Sequence, residues 1–426
     1  MDVRQLKKQA KELVAAARAG DARAVARFGD LPLKLAGAQL VLAREHGYAS
    51  WPALVRVEVE QPFHDDIDYY EGRAEGIATV KGISTDDARR ELAGRHGYSS
   101  WDELKRRVAA LSSGAEPAPP FVLAYRALES GDRGRLVELL DAHPELIEMR
   151  GTNGNDLFGM ANDIGITTLL LEHGADVNRG NDHGWTKLHQ AGYGNDSELA
   201  RLLLDAGART DLYARGDGGT PLIAALFWGH REVVELLGLE PGNLRVAAGL
   251  GRVEMIDELV GTPAAGAHRG FYRPHGGFPA WTPSDDPQEI LDEALVWAAK
   301  ADRVEAIERL VELGARVDAD PYRGTPLTWA ASCGRVAAIR RLAELGADVN
   351  QPTTFGGPTH GEGVYALHLA AQAGQESAVD VLLELGADPT LRDGLYHGDA
   401  AGWSGHGCRP DLAERFGGEA HLESSA

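Results

Sequence analysis

The chain has 426 residues, 43% of them apolar, with 43 Lys and Arg against 64 Asp and Glu and a net charge of −21. That length suits two or three domains or one long repeat array, and no run of about 18 apolar residues marks a membrane span. So acidic a chain repels phosphate backbones, which excludes nucleic acid as the expected partner.

The start, MDVRQLKKQAKEL, is charged and amphipathic and lacks an apolar signal core, so a cytoplasmic protein is expected. Residues 1–111 hold 18 basic and 17 acidic residues, so the acidity belongs to the remainder, with 25 and 47. Within 1–111 lies a duplication. Residues 38–56, AQLVLAREHGYASWPALVR, and 88–106, ARRELAGRHGYSSWDELKR, match at an offset of 50. Each copy reads as a helix, a stop and a second helix. Gly47 and Gly97 suit the left-handed residue that ends a helix. Ser50 and Ser100 read as N-caps, the latter in a capping box with Glu103. Trp51 and Trp101 fall on the next first turn, where large aromatics plug a small core, with a ligand cage of the matching tryptophans as the alternative.

Residues 112–120, SSGAEPAPP, read as a linker. Beyond it a period near 33 appears: EHGADVN at 172–178, DAGARTD at 205–211, ELGARVD at 312–318, ELGADVN at 344–350 and ELGADPT at 384–390. A second signal keeps phase with it, starting at Thr186, Thr220, Thr325 and Tyr365. Each instance opens a helix that ends in a small-residue stretch and is followed by a second apolar helix. This pattern resembles the ankyrin repeat. The resemblance covers residues 121–418 and implies an all-α fold, an ankyrin-repeat solenoid preceded by a small duplicated helical domain. Residues 419–426 are expected as a disordered tail. Residues 1–111 look like the helical module that precedes ankyrin arrays in some bacterial proteins. In the family pattern Pro221 and Pro326 sit in first turns, where a missing N–H costs nothing. His189 and His368 are expected to hydrogen-bond within their turns.

Two insertions interrupt the period, at 262–287 and 352–363. The first contains GFYRPHGGFPAWTPSDDP and ends with Asp286 placed to cap a helix, Pro287 at its first position and Glu289 at its third. The resemblance implies that both emerge on one concave face. Their aromatic and histidine residues are of the types enriched at binding hot spots. The residues expected to bind are Trp185, Phe271, Tyr272, His275, Trp281, Tyr322, Trp329, Phe355, His360 and Trp403. The expected partner is a protein or peptide, basic or neutral rather than acidic, with no membrane role. The alternative is an enzyme or small-molecule binder with a pocket under the two loops, where His275, Asp285, Asp286, His360 and Glu362 occur. No spacing matches a metal motif, a phosphate loop or a nucleophile signature, so no catalytic residue, metal or cofactor is assigned. Cys333 and Cys408 lie far apart, form no C-x-x-C pair and read as reduced thiols.

Overall fold

The computed structural model describes the chain except for residues 1–2, 30, 46–50, 52–58, 62–63, 82, 96–97, 115–117, 152–153, 182–183, 215–216, 239–241, 271–282, 322, 355–362 and 418–426. The fold is all-α apart from one short strand pair, and divides into two compact units, Met1–Asp176 and Val177–Ala426. The boundary between them falls inside the expected array rather than at the linker.

In the first unit, Val3–Arg18, Ala22–Phe28 and Leu35–Glu45 close around Leu13, Phe28, Val41 and Leu42, with Trp51 half-buried at the edge. Ile67–Lys81, Thr85–Arg95 and Trp101–Ser113 close around Tyr70, Leu92, Leu104 and Val108, with Trp101 in the matching place. The duplicated helices Leu35–Glu45 and Thr85–Arg95 keep the offset of 50 at both ends. Each copy therefore owns a small core, and its tryptophan packs on that core. Ser100 caps as expected, accepting from the Glu103 amide at 3.2 Å. The Glu103 carboxylate turns instead to Ser99, which offers it both N–H and O–H at 2.8 and 2.6 Å. Two donors on one residue outcompete the single amide of a capping box. The strand pair joins Val59–Gln61 in parallel to Arg150–Gly151. Pro120–Glu129 and Arg133–Ala142 form a helical hairpin, and Leu157–Met160 and Ile164–Glu172 complete the unit.

The second unit repeats one design. Its inner helices are Lys187–Gly194, Pro221–Phe227, Leu244–Leu250, Pro287–Lys300, Pro326–Ser332, Ala366–Gln372 and Ala400–His406; an outer helix follows each of them. Alanines at 247, 298, 330 and 370 let the inner helices approach closely. Thr186, Thr220 and Thr325 accept from the amides three residues on, as N-caps. The turn between inner and outer helix requires one left-handed residue. Asn195, Gly229, Gly251, Asp302, Gly334, Gly374 and Cys408 occupy it, with φ between 54° and 73°.

Side-chain bonds to backbone carbonyls lace neighbouring pairs together. His230 Nε2 contacts the Tyr193 carbonyl at 3.0 Å, Arg303 Nε donates to Gly249 at 3.2 Å, Arg335 Nε to Lys300 at 2.9 Å and Arg409 to Gly374 at 2.9 Å. One set of contacts skips one pair or two. Arg335 also donates to the Gly229 carbonyl at 2.6 Å, and Arg231 donates to Ala301 at 3.1 Å. The turns at 229, 301 and 335 are thus tied directly, past the helices of 244–259.

Pro287–Lys300 is twice the length of most inner helices. Its extra N-terminal turns stand where other repeats carry a finger turn. Elsewhere an Asn or Asp of one finger accepts the amide of the next, as Asn350 does from Asp388 at 2.9 Å. Asp292 performs that task from within the helix, accepting Arg316 N at 2.7 Å and gripping its guanidinium at 2.9 and 2.6 Å.

Candidate functional site

Both insertions rise from bases fixed by polar contacts, buried at Glu293 and Thr353 and exposed at Ser284 and Thr354. For the first, Asp286 accepts the Gln288 amide at 3.1 Å and Pro287 opens the helix, as the sequence suggests. Glu289 reaches back beyond the cap to Ser284, taking its N–H at 2.8 Å and its O–H at 2.9 Å. Arg269, on the incoming segment, joins both stems: it donates to the Ser284 carbonyl at 2.7 Å, to Glu289 at 3.0 Å and to Glu293. Glu293 also receives Arg245 at 3.0 Å. One buried carboxylate therefore bridges two buried guanidiniums, and removing it would strip that carboxylate from both at once. His268 Nδ1 meets Asp217 Oδ1 at 2.8 Å, fastening the same stem to the preceding finger.

The second insertion starts and ends at an antiparallel bridge between Thr353 and Val364. Thr353 N donates to the Val364 carbonyl at 2.9 Å, and Gly363 N returns to Thr353 at 2.8 Å. Asp320, from the previous finger, accepts both the N–H and O–H of Thr354, at 2.7 and 2.9 Å.

Of the residues expected to bind, Phe271, Tyr272, His275, Trp281, Tyr322, Phe355 and His360 lie outside the described residues, as does Glu362. The other three are buried. Trp185 is 8% exposed, with its ring 5.0 Å from His189. Trp403, 7% exposed, donates from its indole to Asp393 at 3.0 Å and stacks on His368 at 5.7 Å. Trp329 is 2% exposed and lies 5.7 Å from Phe227. Packing occupies these rings, and the Trp403 indole is hydrogen-bonded as well. Aromatic identity alone does not separate a core residue from a contact residue, because both roles favour large rings.

Sequence reasoning passed over Lys300, the last residue of its helix and 1% exposed. Its ammonium nitrogen sits 3.7 Å from the ring centres of Phe227 and of Trp329, and 5.5 Å from that of Trp297. Burial pushes its pKa down to about 7. Burial likewise raises that of the Cys333 thiol. The signal for this cluster is composition: residues 112–426 hold only two lysines, Lys187 and Lys300, and both are buried.

His189 behaves as the repeat pattern implies. Its Nδ1 lies 2.8 Å from the Thr186 hydroxyl and its Nε2 lies 2.9 Å from the Gly219 carbonyl. His368 keeps the second contact, to Leu391 at 3.0 Å, but its buried Nδ1 has no partner among the described residues. Tyr365 stands where the capping threonine would be. Among the described residues no three His, Cys, Asp or Glu side chains are grouped to hold a metal ion, and no described helix is long and apolar enough to cross a membrane.

A family model for ankyrin repeats in three copies matches residues 157–246 and 244–353, and a single-repeat ankyrin model matches 362–394. The chain is an ankyrin-repeat protein. Among similar proteins, fem-1 homolog A of Homo sapiens is 36% identical over 147 residues, 34% of this chain and 20% of that protein. Protein phosphatase 1 regulatory subunit 27 of Homo sapiens is 27% identical over 147 residues, 33% of this chain and 91% of that one. Ankyrin repeat and SAM domain-containing protein 6 of Rattus norvegicus is 30% identical over 118 residues, 26% and 13%. These relatives are mammalian and lend no support to the bacterial likeness expected for residues 1–111. The chain spans about a fifth of fem-1 homolog A.

Proposed function

We propose that this ankyrin protein is a recognition module whose two insertions, 262–287 and 352–363, contact a protein or peptide partner. The observation that carries the reading is the way the insertions are held. Arg269 with Glu289 and Glu293, and Asp320 with the 353–364 bridge, fix each base before any ligand arrives. A fixed base lowers the entropy lost when a loop is ordered on binding. Loops that only bridged two repeats would need no such buried anchoring. The class of partner agrees with the name of one relative, a regulatory subunit of a protein phosphatase. The acidic balance of residues 112–426 favours a basic or neutral partner. The cytoplasm is the compartment that suits two free thiols.

The test replaces residues 271–282 by a Gly/Ser linker, leaving Arg269 and Ser284 in place. Partner capture by the intact protein, compared with the variant by cross-linking and mass spectrometry, is expected to disappear. Far-ultraviolet circular dichroism and the urea midpoint are expected to stay within error. Unchanged capture by a folded variant would remove the first insertion from the proposal.

A further inference from the structure

We infer that the rings of Phe227, Trp297 and Trp329 form a cage for a quaternary or methylated ammonium group, and that Lys300 is its resident occupant. The three rings come from three inner helices, Pro221–Phe227, Pro287–Lys300 and Pro326–Ser332. Between them lies Leu244–Leu250, which carries Gly249 at the position equivalent to Phe227 and Lys300. With no side chain there, Phe227 reaches across the intervening repeat, 6.2 Å from Trp297.

A ring face carries negative charge density and attracts a cation within about 6 Å. The Lys300 ammonium satisfies that limit three times, and the two nearer rings, inclined at 71° to each other, form a corner around it. Among the described residues its nitrogen has no hydrogen-bond or ion-pair partner. The rings therefore hold the cation at close range, with a longer-range pull from Cys333 and Glu293. Charged groups around it are few. Pro221–Phe227 brings none, Leu244–Leu250 brings Arg245, and Pro287–Lys300 brings Glu293, already bound to Arg245 and Arg269. Pro326–Ser332 brings none, with Arg323 before it and the Cys333 thiol after it.

The choice of residue points the same way. Residues 112–426 carry 23 arginines and two lysines. Every exposed described cation of that span is thus arginine, yet the cage holds lysine. A guanidinium is broad, planar and permanently charged, whereas an ammonium is compact and can lose its proton. Near pH 7 the buried amine is partly neutral, and a neutral amine gains little from ring faces. A quaternary ammonium keeps its charge at every pH. Such a group competes with Lys300 more easily as pH rises. This site is distinct from the insertions, so it and the proposed recognition role fail separately.

The experiment titrates tryptophan fluorescence of the full-length protein with choline and with Nε-trimethyllysine, at pH 6 and pH 8.5. Saturable quenching is expected, with a midpoint at least threefold lower at pH 8.5. Lys300→Ala vacates the cage and is expected to bind at least tenfold more tightly, independently of pH. Adding Trp329→Ala to that variant is expected to abolish binding. Whichever probe has the lower midpoint distinguishes a free amine from a side chain of a partner as the source of the group. The inference is overturned if neither probe quenches saturably at pH 8.5 in the unmodified protein and in folded Lys300→Ala. It is also overturned if 3,3-dimethylbutan-1-ol, the uncharged counterpart of choline, binds as well as choline. Should Lys300→Ala not fold, the pH series on the unmodified protein decides alone.

Discussion

At Lys300 the chain buries an amine whose pKa in the fold is about 7 rather than the usual 10.5. A lowered pKa means that the fold accommodates the neutral form better. The stability this amine permits is full above pH 10.5 and declines as pH falls to 7; below that, folded and unfolded chains both hold the proton and the cost is constant. The ring faces act in the opposite direction, stabilising the charged form by about 2 kcal/mol when desolvated. Replacing Lys300 with Met keeps the stem and removes the charge. The variant is expected to gain up to about 4 kcal/mol at pH 7, since a fall from 10.5 to about 7 at about 1.4 kcal/mol per unit bounds the cost. Urea melts at pH 7, 8.5 and 10 should show the gain shrinking as pH rises. An equal gain at all three would assign the cost to packing instead of charge.

Among the elements, Ala366–Gln372 lacks what its counterparts possess. Its N-cap residue is Tyr365, which offers no oxygen to the helix amides, and the Nδ1 of His368 goes unserved. At the equivalent place Thr186 serves both the helix and His189. Tyr365→Thr is expected to stabilise the second unit by about 1 kcal/mol, the ordinary worth of such a cap. A lower urea midpoint would show that the tyrosine ring, T-shaped against His368 at 5.3 Å, contributes more than a cap does. The elements were also the most legible part of the sequence. Recurrent Thr-Pro-Leu and Gly-Ala-Asp signals located inner helices and finger turns because caps and left-handed turns demand particular residues wherever they occur. The doubled length of Pro287–Lys300 was not legible: Asp292 and Glu293 look like ordinary surface acids until their partners, Arg316, Arg245 and Arg269, are known. The same limit applied to Trp185, Trp329 and Trp403, whose neighbours come from other repeats, and to Lys300, whose cage draws on three helices far apart in sequence.

For the second unit as a whole, the direct ties among 229, 301 and 335 change how stability is shared. A solenoid whose repeats touch only neighbours loses structure one interface at a time. Here Arg335 holds the carbonyls of both Gly229 and Lys300. Arg335→Ala removes one donor from two carbonyls, and a cost of about 1–3 kcal/mol is expected from leaving buried acceptors unmet. Hydrogen exchange should quicken in Arg231–Leu237 as well as in Val336–Glu344, although two repeats lie between these outer helices. Acceleration confined to Val336–Glu344 would show that the long tie carries no coupling.

Those ties also bear on how the unit resists force. Pulling on the ends of a simple array peels repeats away singly, each parting under a small load. Between residues 221 and 344 the Arg335 and Arg231 bonds cross the line along which peeling would run. The helices of 244–259 cannot be drawn out until those bonds slide past one another. Four helix pairs should therefore yield as one body, turning the middle of the array from a zip into a rivet. A single rupture of that size in an optical-trap extension trace is the expected mark, and a run of evenly small steps would contradict it.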